Sequence, residues 1–189
     1  MNTTQSQIIA TTCELLEQQG FHSTGLNQIV NVSGAPKGSL YYYFPGGKDE
    51  IAEAAIEWAG RRVAERIRAH LSGESDAAVA VRQFVLLIAE QVEASGFRSG
   101  GPLLTVAMET ATTNERLNLA CRQAYSLLLA AFEEKLLVCG WSDEQAQALA
   151  TMINASIEGG VILSRTQHSA APLRVVADQL ERLVRASQP

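Results

Sequence analysis

Cysteine is scarce in this sequence, and the three cysteines that it has are far apart, at Cys13, Cys121 and Cys139. An odd, widely spaced set fits neither a disulfide framework nor the paired spacing of a zinc site. Each cysteine falls inside an apolar helical pattern, so we predict reduced thiols in the core. We predict no metal site and no cofactor.

Long apolar runs and an excess of cations are also missing. No run approaches the roughly 18 apolar residues of a membrane span, and the first residues, MNTTQSQIIATT, lack the basic start and apolar stretch of a signal peptide. A net charge of −5 argues against a general nucleic-acid binder that relies on a basic surface. We therefore expect a cytoplasmic globular protein.

Catalytic motifs are absent as well. His22, His70 and His168 are scattered, and neither HExxH nor GxSxG occurs. The segment RSGGP, residues 98–102, has two glycines but lacks the spacing and the following Lys-Ser/Thr of a phosphate-binding loop. We do not predict an enzyme; a small helical enzyme would need a constellation that forms only in three dimensions.

The sequence does have one informative stretch, TGLNQIVNVSGAPKGSLYYYF, residues 24–44. Thr24 is placed to cap a helix with apolar residues at helical spacing, and Ser33-Gly34 ends that helix. Pro36 suits the first turn of a second helix, whose buried face carries Leu40 and Phe44. Two short helices joined by a tight turn with glycine are typical of a helix-turn-helix.

The second of these helices has a polar outer face. With Leu40 and Phe44 turned inward, several of the remaining side chains must point outward; these are Lys37, Ser39, Tyr41, Tyr42 and Tyr43. A cation and hydroxyls suit phosphate oxygens, and a tyrosine ring can contact a base edge or a thymine methyl group. Gly38 would let a DNA backbone approach closely. The alternative is an aromatic lid over the core; the flanking helix, turn and lysine favour DNA.

The distribution of charge around this stretch also favours DNA as a partner. Between Phe21 and Lys48 there are two lysines and no carboxylate, whereas carboxylates flank this window on both sides. Because two lysines neutralise few phosphates, affinity for DNA would depend on dimerisation, helix N-termini and polar contacts.

The stretch and its flanks, about residues 5 to 55, resemble the N-terminal signature of TetR/AcrR transcriptional regulators, in the order Phe21, Thr24, Ile29, Gly34, Lys37, Gly38, Ser39, Leu40, Tyr41, Phe44 and Lys48. The added glycine in PGGK, residues 45–48, resembles the LmrA/YxaF-like branch. Pro36 and Tyr43 stand where many members have serine and histidine. The resemblance implies dimers that pair through their last two helices as a four-helix bundle, and an effector pocket in the C-terminal region.

Apolar periodicity along the whole chain predicts about nine helices and no sheet, an all-α fold. We expect residues 1–48 to form the helix-turn-helix DNA-binding domain, and residues 49–189 to form a helical effector-binding and dimerisation domain. Residues 146–164 are apolar on more than one face, which is typical of a helix buried all round.

The last two predicted helices are long, apolar and terminal, which favours an isologous dimer interface. We predict that its contacts are the apolar residues Leu149, Ile153, Ile157, Val161, Leu173, Val176, Leu180 and Leu183. Polar and aromatic residues set in apolar helical faces are the candidates for effector contact: Gln91, Glu109, Tyr125, Asn154 and Glu158, with Trp58, Met108 and Phe132 as walls. The alternative for each is a solvated or internally bonded side chain.

These features predict a homodimeric, sequence-specific transcriptional regulator, a repressor that leaves a palindromic operator when a small molecule binds. We expect four residues to hold phosphates, namely Thr24, Lys37, Tyr41 and Lys48. Three others would approach bases, namely Gly25, Ser39 and Tyr42, and Tyr43 could do either. The acidic net charge motivates a second hypothesis, a ligand-carrying or scaffold dimer whose helix-turn-helix does not read DNA.

Overall fold

The computed structural model describes residues 3–188, which form nine α-helices and no strand. The helices are α1 (Thr3–Gln19), α2 (Leu26–Ser33), α3 (Lys37–Tyr43), α4 (Lys48–Ser72), α5 (Ala77–Ala94), α6 (Pro102–Thr110), α7 (Glu115–Val138), α8 (Asp143–Gln167) and α9 (Ala171–Ala186). The all-α prediction is confirmed.

The described chain divides into two compact units, residues 3–61 with 101–125 and residues 62–100 with 126–188. Helices α4 and α7 each supply residues to both units. The predicted division between residues 48 and 49 stays a prediction, and residues 1, 2 and 189 of its ranges lie outside the described residues.

In the first unit, α1 packs against α2 and α3 around side chains with at most 1% exposure, Ile8, Leu16, Ile29 and Leu40. Gly20 ends α1 at φ +79°, and Gly34 ends α2 at φ +66°. Both φ values lie in the left-handed region that favours glycine, so each glycine serves as a helix stop.

Thr24 does not cap α2, so that expectation is wrong. The cap residue is Gly25, with an extended backbone at φ −111°, and no side chain bonds the first turn of α2. The Thr24 hydroxyl donates instead to the Gly20 carbonyl at 2.7 Å, inside the unit. It therefore closes the turn between α1 and α2.

In the second unit, α5 packs against α8 and α9, and α8 packs against α9. The core contains Phe84 and Phe132, whose rings meet edge to face with centroids 5.9 Å apart. A Cβ on Gly160 would lie 2.9 Å from the Leu173 side chain, so the glycine permits the close approach of α8 and α9. The Asp76 side chain caps α5, and Ser142 with Gln145 forms a capping box at the start of α8.

Helix α8 is not buried all round, which corrects the prediction made from its composition. One face is buried, whereas Met152 is 54% and Ile162 is 43% exposed on the other. Among the described residues, one helix, α8, has the length and the apolar composition needed to cross a membrane. Of its most apolar window, 33% is buried. A single helix of this kind is weak evidence for a membrane span, because helices of soluble proteins pass the same test.

None of the three cysteines is in a disulfide, and two of them, Cys13 and Cys121, are buried as predicted. Burial raises the pKa of the Cys121 thiol to about 11, which keeps it protonated near neutral pH. Cys139 is only half-buried, so the prediction of a core position is wrong for it.

Candidate nucleic-acid interface

Helix α3 presents its tyrosines outward. Leu40 and Phe44 are buried, whereas Tyr41 is 47% and Tyr42 is 79% exposed. Tyr43 is half-buried, and its ring meets that of Tyr42 edge to face at 5.1 Å. An aromatic lid over the core is therefore wrong for Tyr41 and Tyr42, and the α3 face offers two phenol groups to a partner.

The rest of this face is small or cationic. Lys37 and Gly38 are exposed, and Ser39 is half-buried. A Cβ added to Gly25 or Gly38 would meet nothing within 4 Å, so no packing inside the chain requires glycine there. The open space lies at the start of α2 and in the first turn of α3, where backbone N–H groups without helical partners are concentrated.

Two predicted phosphate contacts are engaged inside the first unit. The Thr24 side chain is buried, as described above. Lys48 places its ammonium 4.1 Å from the centroid of the Phe21 ring and 3.4 Å from the His22 carbonyl oxygen. Burial lowers the pKa of Lys48, while the nearby carboxylates of Asp49 and Glu109 act against that shift. Phosphate contacts by Thr24 and Lys48 stay predictions.

Glutamine side chains hold α2 against α1. The Gln7 amide donates to the Ser33 carbonyl at 2.6 Å. Gln19 and Gln28 exchange two amide hydrogen bonds, at 2.8 and 3.1 Å. Sequence reasoning missed these contacts, because a glutamine on a helix surface carries no pattern that distinguishes a bonded side chain from a solvated one.

Carboxylates just after Lys48 are paired within the first unit. Asp49 accepts from the Asn114 amide at 2.8 Å, and Glu50 accepts from the Gly46 N–H at 2.6 Å. Glu53 accepts from Arg116 at 2.7 Å. Of the three donors only Arg116 is a cation, so it alone offsets acidic charge beside α3, while the other two stabilise their carboxylates by hydrogen bonding.

The effector candidates divide between the two units, and the structure shows the burial and the contacts of each. In the first unit, Trp58 and Tyr125 are half-buried and stay predictions. Met108 is 73% exposed, and its role as a pocket wall stays a prediction. The Glu109 carboxylate accepts the backbone N–H groups of Phe21 and His22 through Oε2, and effector contact by it also stays a prediction.

In the second unit, the Gln91 side chain is exposed and bonded to Arg66, and Phe132 is buried against Phe84; effector contact by either residue stays a prediction. Asn154 and Glu158 are half-buried and stay predictions. A shallow cleft of about 860 Å³ in this unit contains none of the eight candidates; it is lined by Ser72, Gly73, Glu74, Ser75, Asp76, Ala77, Lys135, Val138, Cys139, Trp141 and Gln188.

Most of the predicted dimer contacts are buried within the single chain, and contact with a second copy stays a prediction. Six of the eight have at most 8% exposure in the single chain, so they pack in its own core; they are Leu149, Ile153, Ile157, Val161, Leu173 and Leu180. Val176 is half-buried and Leu183 is exposed. The apolar periodicity identified the buried face of α8 and α9 correctly, but that face is buried by the same chain.

A glycine-containing turn between α2 and α3, followed by an exposed face with tyrosines and a lysine, defines a helix-turn-helix protein that binds DNA. Residues 8–55 match the model for bacterial regulatory proteins of the tetR family. Residues 77–179 match the C-terminal domain of LmrA/YxaF-like transcriptional regulators. The chain belongs to the TetR family of transcriptional regulators, a family of DNA-binding proteins and not of enzymes.

Relatives and solved structures agree with this assignment. The chain is 40% identical to the uncharacterised HTH-type transcriptional regulator YxaF of Bacillus subtilis, over 96% of this chain and 95% of YxaF. It is 35% identical to the HTH-type transcriptional regulator LmrA of the same organism, over 96% of both chains. The fold is shared with a regulatory protein TetR from Rhodobacter sphaeroides, with a TM-score of 0.83, 22% identity and coverage of 96% of this chain and 98% of that one.

Proposed function

We propose that this protein is a cytoplasmic homodimeric repressor, which binds a palindromic operator and releases it when a small-molecule effector binds. The observation that carries the proposal is the outer face of α3, where Tyr41 and Tyr42 are exposed beside Lys37. Exposed aromatic rings are costly to leave in water without a partner, and here they share one face with a cation, which suits a phosphate-rich partner.

Individual roles follow from exposure. Lys37 and Tyr41 would hold phosphates, while Tyr42 and Ser39 would approach bases in the major groove. Gly25 would let the start of α2 approach the bases, since the space beside it is open. Tyr43 supports Tyr42 through its ring contact.

Dimerisation is proposed through the exposed face of α8 and α9. Along α8 the residues Ala148, Met152, Ala155, Gly159 and Ile162 recur at intervals of four and three, the spacing of one helical stripe. A Cβ on Gly159 would meet nothing within 4 Å, so a second helix could approach closely there. Val175 and Leu183 extend the apolar surface on α9. A two-fold dimer places two copies of α3 on the two halves of a palindrome.

Effector control is proposed from family membership. Half-buried candidates remain in each unit considered by itself, Trp58 and Tyr125 in the first and Asn154 and Glu158 in the second. An effector must bind the DNA-free arrangement more tightly than the DNA-bound one. Moving the ratio of the two populations by a factor of about 10⁴ needs roughly 5.5 kcal/mol of differential affinity.

The first test is a selection of genomic DNA fragments by the purified protein at about 0.1 M salt, where non-specific attraction is already partly screened. We expect one palindromic motif, with half-sites about a helical turn or more apart. Retention of no DNA would instead favour the scaffold dimer whose helix-turn-helix does not read DNA.

A further inference from the structure

The turn between α1 and α2, residues 20–25, is held by a carboxylate from α6. Oε2 of Glu109 accepts the backbone N–H of Phe21 at 2.6 Å and that of His22 at 3.1 Å. Hydrogen bonds to an ionised carboxylate are stronger than those between neutral groups. The contact therefore fixes the backbone of the turn and not merely a surface side chain.

Gly20 makes room for this contact. A Cβ built on Gly20 would lie 2.1 Å from Oε1 of Glu109, and φ at this residue is +79°. A side chain at position 20 would thus both strain the backbone and displace the carboxylate. The glycine that ends α1 also admits Glu109 to the turn.

A second carboxylate fastens the other end of α6. Oε1 of Glu17, on α1, accepts the backbone N–H of Gly101 at 2.7 Å, and Gly101 is the residue that caps α6. Both ends of α6 are thereby tied to the C-terminal end of α1. Two attachment points fix the orientation of α6 on α1, where one point would fix only its position.

The held turn leads directly into the reading helices. Thr24 N–H donates to the Phe21 carbonyl at 3.1 Å, and its hydroxyl donates to the Gly20 carbonyl, so the turn is closed up to the residue before the α2 cap. On its other side, Lys48 contacts the Phe21 ring and the His22 carbonyl. A displacement of Glu109 would therefore be transmitted to the start of α2 and to Lys48.

We propose that Glu109 is a positioning residue for operator recognition, which sets the placement of α2 and α3 through the N–H groups of Phe21 and His22. The proposal rests on the proposed reading of DNA by α3. Binding groups need to be held within about 0.5 Å of their productive geometry. Loss of the contact should therefore reduce binding to the operator much more than binding to unrelated DNA, which depends on charge.

The test compares Glu109→Ala and Glu109→Gln with Glu115→Ala, an exposed carboxylate in the first turn of α7. Both alanine variants remove one negative charge, which by itself strengthens attraction to any DNA. We expect Glu109→Ala to raise the operator dissociation constant about ten-fold, with affinity for unrelated DNA within about two-fold of the parent. Glu109→Gln keeps one acceptor oxygen and should lie between Glu109→Ala and the parent. Glu115→Ala should match the parent or bind slightly more tightly.

Amide hydrogen exchange supplies a second readout. Glu109→Ala should lose protection at the Phe21 and His22 amides, and Glu115→Ala should retain it. Unchanged operator affinity in Glu109→Ala would overturn the positioning role, and so would an equal loss on operator and unrelated DNA with a lowered melting temperature. If the parent protein selects no operator, the proposed function is overturned as well. If the parent selects an operator and Glu109→Ala binds it equally well, only this inference is overturned.

Discussion

Two exposed faces of the chain differ in chemistry, although each carries large side chains that water does not favour. On α3 these side chains are tyrosines, with Lys37 on the same face. On α8 and α9 they are Met152, Ile162, Leu163, Val175 and Leu183, without a hydroxyl among them. The first surface can form hydrogen bonds and ion pairs when it is covered, whereas the second gains chiefly by excluding water.

Exposure alone therefore does not identify a partner. A tyrosine is tolerated in contact with a hydrated, charged surface because its ring packs while its hydroxyl stays bonded. A stripe of alanine, glycine and methionine offers little to a phosphate but permits close approach of a second helix. The comparison therefore supports the proposal that the α3 face binds DNA and that the α8 face binds a second copy of the chain.

Charges on the α8 stripe should have the largest effect. In the double variant Met152→Glu with Ile162→Glu, the proposed two-fold interface would bring like charges of the two copies together, which costs several kcal/mol. We expect the dimer dissociation constant, measured by analytical ultracentrifugation, to rise about 100-fold or more. Operator binding should weaken with it, because each half-site would then be bound separately.

The matched control is Gln83→Glu, which adds a carboxylate to an exposed position of α5 outside the stripe. It should leave both the dimer and operator affinity unchanged. If the double variant remained as dimeric as the control, the interface would lie elsewhere, and the proposal that the α8 face binds a second copy would be wrong.

On the α3 face, Tyr42→Ala should reduce discrimination between operator and unrelated DNA. A side chain that reads a base contributes about 1–3 kcal/mol of discrimination, so we expect a loss in this range. Tyr42→Phe keeps the ring and removes only the hydroxyl, so it separates ring contact from hydrogen bonding. Affinity is measured on operator and on a scrambled duplex. If Tyr42→Ala weakened binding to both equally, base reading by Tyr42 would be contradicted.

Lys37→Ala should have a smaller and different effect. A lysine that contacts phosphate contributes to all sequences alike, so affinity should fall about equally on operator and scrambled DNA. The slope of log affinity against log salt should decrease by about one per protomer. An unchanged slope in a salt titration would place Lys37 away from the phosphates.

Much of the fold followed from local signals in the sequence. Asp76 and Ser142 cap α5 and α8, and such helix starts can be read from the sequence because capping depends on neighbouring residues alone. The exposed face of α3 was predictable for the same reason, since the inward positions of Leu40 and Phe44 determine it.

Features set by distant parts of the chain could not be predicted. Periodicity places Ile153 and Met152 on different faces of α8, but it does not say which face the chain itself covers. The contact of Glu109 with Phe21 joins residues 88 positions apart, and no local pattern marks it. Thr24 had the right residue type for a cap, and its hydroxyl closes the preceding turn instead.

The smallest predicted effect concerns the flank of the α8 and α9 face, where Arg185 of α9 pairs with Asp76 at 3.2 Å. Hydrogen bonds from the Val79 N–H, and next from that of Ala78, lower the pKa of Asp76, with a further contribution from Arg185. Because the folded pKa lies below the unfolded one, this stabilisation is present above the ordinary aspartate pKa of about 3.9 and is lost as the pH falls through the folded value.

Asp76→Asn keeps a cap oxygen but removes the charge, so its free energy of unfolding at pH 7 should be lower by well under about 1 kcal/mol, because the group is near the surface. In denaturant titrations at pH 7, 5 and 3, the difference from the parent should shrink towards pH 3. Arg185→Gln should retain most of this pH dependence, since the backbone N–H groups and not the arginine are its main cause. A difference that stayed constant with pH would contradict the depressed pKa, and a loss of dimer affinity in Asp76→Asn would mean that the flank belongs to the interface.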